Sequence, residues 1–111
     1  MDKLSQELKN KANNLYKNND FNGAIEIYNK LLSLDNNNDF FNALILSNRS
    51  LCYYKLKDMF KALHDINESI KLNNKYWKSY QRRANINIKL KFSEKAKEDL
   101  QKVLQLDPAN L

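Results

Sequence analysis

The sequence predicts an all-α protein made of three tandem helix-turn-helix units, and three observations carry that expectation. Gly and Pro occur once each, at Gly23 and Pro108, so the chain holds few of the residues that tight β-hairpins need. Apolar side chains recur at helical spacing along most of its 111 residues. The segments around Ala24, Ala62 and Ala96 repeat one pattern, in steps of 38 and 34 residues.

Each helix follows from its own residues. The first, expected over 3–18, aligns Leu4, Leu8, Ala12 and Leu15 on one face. The second, over 21–34, starts after Asp20, whose carboxylate suits an N-cap, and carries Ala24, Ile25, Tyr28, Leu31 and Leu32. The third, over 39–55, contains Ala43-Leu44-Ile45-Leu46. The fourth, over 58–72, has Asp58 in the capping place and Ala62-Leu63 one turn on. The fifth spans 75–90 and the sixth 93–106, the latter with Phe92, Ala96, Leu100, Val103 and Leu104 on one stripe. Twelve residues before each anchoring alanine stands another small residue, Ala12, Ser50 or Ala84. Paired small residues let the two helices of a unit cross closely. The four extra residues of the first step fall within Asn36–Phe41, where they either lengthen the loop or add a turn to the third helix.

Composition excludes several classes of function. Nineteen Lys and Arg against 13 Asp and Glu leave a net charge of +6, with 42% hydrophobic residues to build a core. The longest nearly apolar stretch, Phe40 to Leu46, is too short to cross a bilayer and is broken by Asn42. The N-terminus lacks the apolar run of a secretory signal. A single cysteine, Cys52, and a single histidine, His64, offer no internal disulfide, no multi-cysteine metal site and no Ser-His-Asp arrangement. The expectation is a soluble intracellular protein that is not an enzyme, has no cofactor or metal and does not enter membranes. Cys52 reads as a small buried hydrophobe. His64 reads as surface, on an exposed face with Lys61, Asp65 and Glu68. Asn-rich patches such as Asn36-Asn37-Asn38 read as codon bias on exposed positions. The sequons at Asn48 and Asn67 lie inside expected helices and are discounted.

Polar residues on the first helix of each unit need a different explanation. Lys9 and Asn13 stand four apart on one helix, and Lys78 and Arg82 four apart on another, so each pair shares a face. Asn48 follows an apolar run in a place that helix propensity does not explain. Stacked side by side, these helices direct three cations and two amides, with no carboxylate, into one groove. Such a set suits an anion with several oxygens, above all a peptide's C-terminal carboxylate with a neighbouring Asp side chain. Arg49 and Arg83, next to Asn48 and Arg82, point elsewhere and are expected in structural contacts. Tyr16, Tyr53, Tyr54, Tyr80 and Trp77 read as core or groove wall. Nucleic acid is the weaker alternative, since the basic residues are spread over all helices and no RNA-binding signature is present.

The repeating unit, with its small residues and its closing Leu34-Asp35 and Leu106-Asp107-Pro108, resembles the tetratricopeptide repeat, although Asn36 and Asn74 stand where a proline is usual. The resemblance implies a single domain of three repeats, at about 5–38, 43–76 and 77–110, wound into a right-handed superhelix with a concave groove. Within that class the motifs Leu8-Lys9-Asn10-Lys11-Ala12-Asn13, Ser47-Asn48-Arg49-Ser50 and Lys78-Ser79-Tyr80-Gln81-Arg82-Arg83-Ala84 are similar to the dicarboxylate clamp of heat-shock co-chaperones. It implies Lys9, Asn13, Asn48, Lys78 and Arg82 as the clamp, and Tyr16, Leu44, Leu51 and Asn85 as groove wall. The implied partner is the C-terminal Glu-Glu-Val-Asp tail of heat-shock chaperone 90, 70 or both, in the cytoplasm or nucleus. A second implied role is the targeting domain of a larger chaperone-associated enzyme, such as a serine/threonine phosphatase or prolyl isomerase. Repeat arrays end in a polar capping helix, whereas this chain ends at Asn110-Leu111, so Leu100, Val103 and Leu104 are expected to be partly uncovered. Continuation into a longer protein is the expectation, and cover by a second copy the alternative.

Overall fold

A computed structural model of the chain describes residues 2–34 and 36–109, so Asp35 in the first closing motif and Asn110-Leu111 at the end lie outside the described residues. The described residues form six α-helices and no strand: α1 (Lys3–Lys17), α2 (Phe21–Ser33), α3 (Asp39–Lys55), α4 (Met59–Leu72), α5 (Trp77–Lys89) and α6 (Ser93–Leu106). The expected helices are all present, with ends displaced by up to two residues. The largest displacement is at α5, which begins at Trp77 because Asn73-Asn74-Lys75 is held as a turn. In that turn Asn73 Oδ1 accepts from the Lys75 amide at 3.1 Å and the Tyr80 hydroxyl donates to the Asn74 carbonyl at 2.9 Å.

Short polar side chains close the starts of α1 to α4. Asp20 accepts from the Gly23 amide at 2.9 Å and Asp58 from the Lys61 amide at 3.1 Å, as their positions in the sequence predict. Asp2 and Asn38 do the same for Ser5 and Phe41, at 2.7 and 3.0 Å. The extra residues of the first step add a turn: α3 starts eleven residues ahead of Ser50, whereas α5 starts seven ahead of Ala84.

The small-residue crossings are as the repeat predicts. Ala12, Ala24, Ser50, Ala62 and Ala84 are fully buried and Ala96 nearly so. At the central crossing the helices approach so closely that the Ser50 hydroxyl donates to the Ala62 carbonyl at 2.7 Å. Consecutive helices pack against each other, and α1 touches α3 as α3 touches α5, but α2 does not touch α4 nor α4 touch α6. The odd-numbered helices of the array therefore lie closer together than the even-numbered ones.

Two apolar clusters fill it. The larger runs from Ala12 through Tyr28, Leu31 and Ile45 to Cys52, the smaller centres on Ile66 and Ile86, and Tyr53 packs against both. Burial of Cys52 pushes its thiol pKa up to about 11. Three expectations are corrected. Leu4 is 65% exposed and Ser5 takes the inward place, because the buried side of α1 runs through Ser5, Leu8 and Ala12 at spacings of three and four. Val103 is buried, on the side of α6 that meets α5, so only Leu100 and Leu104 of that trio stay uncovered. Asp65 does not share the exposed face of His64: it is 2% exposed and held by Arg49.

Candidate functional site

The last-named pair belongs to a repeated device that frames the site from behind. Arg49 on α3 donates to both carboxylate oxygens of Asp65 on α4, at 2.7 and 2.8 Å, and to Asn29 on α2 at 2.9 Å. Arg83 on α5 does the same for Asp99 on α6 and Asn67 on α4. The hydrogen bonds to Asp65 raise the Arg49 pKa above its usual value. Each arginine thus ties three successive helices together, the structural role expected of both. With these cations facing backward, the next residues toward the chain start, Asn48 and Arg82, are left to face the inner side.

There α1, α3 and α5 enclose a groove of about 340 Å³. All five expected clamp residues line it, Lys9, Asn13, Asn48, Lys78 and Arg82, together with Tyr16, Leu44 and Leu51 from the expected wall. Asn85 does not: it lines a small crevice next door, beside Leu51 and Arg82. Lys17, Tyr28 and Tyr76 also line the groove, and sequence reading missed them. Lys17 lies two turns beyond Lys9 on the same helix, a spacing that the sequence does display. Tyr28 belongs to α2 and reads as core, and Tyr76 precedes α5, so only the fold brings them here.

A hydrogen-bonded chain sets the direction of the polar groups. The Tyr28 hydroxyl donates to Asn13 Oδ1, and Asn48 Nδ2 donates to the same oxygen at 3.3 Å. Arg82 Nη1 donates to Asn48 Oδ1 at 3.0 Å and to Ser47 Oγ at 2.8 Å. Both amide oxygens are thereby occupied, and the amide hydrogens left over are donors. Behind Arg82 the fully buried hydroxyls of Ser47, Ser79 and Ser69 continue the chain, ending where Ser69 donates to the Ala43 carbonyl at 2.7 Å.

Among the described residues no carboxylate lines the groove, while four cations do, Lys9, Lys17, Lys78 and Arg82. Arg82 forms no salt bridge among the described residues, in contrast to Arg49 and Arg83. Its burial lowers the guanidinium pKa from the usual value, a charge held partly out of water without a counter-ion. Lys78 Nζ sits 5.8 Å from the Trp77 ring centre, which holds it at the rim. The same surroundings raise the phenol pKa values of Tyr16 and Tyr76 through burial. The arrangement can receive an anion bearing two or more carboxylate oxygens. Among the described residues there is no cluster of three or more His, Cys, Asp or Glu side chains able to hold a metal ion, and no helix is long and apolar enough to cross a membrane.

No curated protein matches the chain by sequence. Solved structures do. The first tetratricopeptide repeat domain of Spaghetti (RPAP3), bound to the HSP90 peptide SRMEEVD, is 34% identical with a TM-score of 0.86, over 96% of this chain and 82% of that one. The second such domain of human RPAP3, in complex with the HSP70 peptide SGPTIEEVD, is 31% identical with a TM-score of 0.81, over 93% and 82% of the two chains. The Hsp90 co-chaperone Cns1 of Saccharomyces cerevisiae is 28% identical with a TM-score of 0.87, over 97% of this chain and 35% of that one. The model of the tetratricopeptide repeat matches residues 10–38 and 78–110, the first and third helix pairs, and the structural matches extend the likeness through the second. With six helices in three pairs and this sequence match over more than half its length, the chain belongs to the tetratricopeptide repeat family.

Proposed function

We propose that the groove clamps the C-terminal carboxylates of a Glu-Glu-Val-Asp tail, and that the chain is a non-catalytic co-chaperone module for heat-shock chaperone 90, 70 or both. The observation that carries this is the state of Arg82, a half-buried cation without a carboxylate partner, set among amide donors whose oxygens are already engaged. The terminal carboxylate and the Asp side chain of such a tail supply the four oxygens that Lys9, Asn13, Asn48, Lys78 and Arg82 lack. The net charge of +6 draws an acidic tail in. That two relatives are solved with HSP90 and HSP70 tails supports the choice of ligand.

Hydrogen bonds to charged groups contribute about 1.5–3 kcal/mol each, offset by ordering the peptide. A micromolar dissociation constant, about −8 kcal/mol, is the expected outcome. Calorimetric titration with Ser-Arg-Met-Glu-Glu-Val-Asp, free acid against C-terminal amide, tests the reading. Binding of the acid that amidation abolishes supports a carboxylate clamp; equal binding of both forms, or of neither, refutes it. Lys78→Ala and Arg82→Ala should each cost about 2–4 kcal/mol of binding by leaving a carboxylate unpaired, with the helical circular dichroism unchanged.

The same module works alone or within a longer protein, placed with its chaperone in the cytoplasm or nucleus. Cns1 favours the second arrangement, because the similar stretch makes up 35% of that chain.

A further inference from the structure

The clamp groove does not end at Arg82. It shares Leu51 and Arg82 with the narrow crevice that holds Asn85 and Tyr54. That crevice in turn shares Tyr54 with a shallow outer groove of about 490 Å³, lined by Tyr54, Met59 and three lysines, Lys55, Lys57 and Lys89. The helices explain the continuity. On α3, Leu44, Asn48, Leu51 and Lys55 follow spacings of four, three and four, and on α5, Lys78, Arg82, Asn85 and Lys89 follow the same spacings. Each set lies along one face, so a path runs from the clamp to the far ends of both helices.

The three lysines are exposed, and none forms a salt bridge among the described residues. A lysine in the last turn of a helix complements the helix dipole, which explains one cation on α3 and one on α5. It does not explain Lys57, which lies outside α3. Nor does it explain why all three converge on one groove without a carboxylate in its lining.

We infer that this outer groove is a second anionic subsite, which takes acidic side chains of the same peptide upstream of its clamped terminus. The inference rests on the proposed clamp. Arg82 and Lys89 are seven residues apart on α5, about 10 Å. An extended peptide covers that distance in about three residues. Ligand residues three or more before the terminal one therefore reach the lysines. Continuity with a site for a peptide terminus favours an acidic peptide over nucleic acid as the occupant.

Two free-acid peptides test it by calorimetry at low ionic strength, Asp-Glu-Asp-Glu-Glu-Val-Asp and its amide counterpart Asn-Gln-Asn-Gln-Glu-Val-Asp. The acidic peptide should bind about fivefold tighter, the scale of two or three solvent-exposed ion pairs. The difference should vanish in the triple variant Lys55→Gln, Lys57→Gln, Lys89→Gln, which should retain its affinity for the amide counterpart and its circular dichroism. Equal binding of the two peptides by the parent chain, or a preference that survives the triple variant, overturns the subsite and leaves the clamp standing. No binding of either peptide overturns both. Loss of affinity for a single-stranded RNA oligonucleotide in the triple variant, with no acidic preference in the parent, assigns the lysines to nucleic acid and also overturns it.

Discussion

Tyr28 shows how one buried hydroxyl reaches a binding surface. It sits on α2, 1% exposed, yet donates to the oxygen of Asn13 and so turns that amide's hydrogens away from itself. Burial raises its phenol pKa far above the usual range, so it stays a donor at any working pH. Tyr28→Phe keeps the packing and removes only the hydrogen bond. The expected loss is about 1 kcal/mol of stability, read from denaturant midpoints. With Asn13 free to rotate, peptide affinity should fall by about threefold to fivefold, a change of similar size. Unchanged affinity would mean that Asn13 is oriented by Asn48 alone. From sequence, Asn13 and Asn48 stand out as amides in apolar company, but their mutual hydrogen bond joins residues 35 apart and has no sequence signal.

At the scale of elements, helices and crossings are legible because their causes are local. Asp20 and Asp58 cap from within four residues, and the small pairs Ala12–Ala24 and Ser50–Ala62 repeat at a constant spacing of twelve. Asp65 was misread for the opposite reason. The residues one turn away on either side, Lys61 and Glu68, are charged, and its burial follows from Arg49, which arrives from the preceding helix. The Arg49–Asp65–Asn29 tie holds α2, α3 and α4 at one spacing, and Asn48 adjoins Arg49 in the chain. Arg49→Met leaves a carboxylate buried without a partner, so the fold should lose about 3 kcal/mol. Asp65→Asn in the same background should recover part of that loss, since the uncompensated charge is then gone. Urea unfolding of the single and double variants measures both, and equal midpoints would show the carboxylate to be solvated.

For the whole molecule, the buried thiol reports on the fold as a unit. Cys52 lies in the larger cluster, and its pKa stands at about 11 against the ordinary 9.0. Below about pH 9 the thiol is protonated in both folded and unfolded chains and does not bias the equilibrium. As pH rises toward about 11 only the unfolded chain ionises, so stability falls, by roughly 2–3 kcal/mol for this group. The raised phenols of Tyr16, Tyr28 and Tyr76 act in the same direction. Comparing the alkaline loss of stability in the parent with that in Cys52→Ala isolates the thiol. An identical loss in both chains would show that the tyrosines alone carry it. At neutral pH a thiol reagent should label Cys52 only after unfolding.

The sequence by itself determined the six helices and their pairing, and it singled out five polar residues that line one groove, because each depends on spacing along one chain segment or on its recurrence. It also held the lysines at 17, 55 and 89, but as isolated charges near helix ends. The sequence also set Arg49 and Arg83 apart from Asn48 and Arg82, but only the tertiary structure supplied the partners that hold them so, because those partners come from the helix packed behind. Arg49 and Arg83 find buried aspartates sixteen residues later, while Arg82 finds one hydroxyl and one amide and has no carboxylate partner among the described residues. The same packing carried Tyr28 and Tyr76 into the groove and moved Asn85 just outside it. A residue's type is written in the sequence; whether its charge meets a partner or is left for a ligand depends on distances between helices that no local pattern encodes.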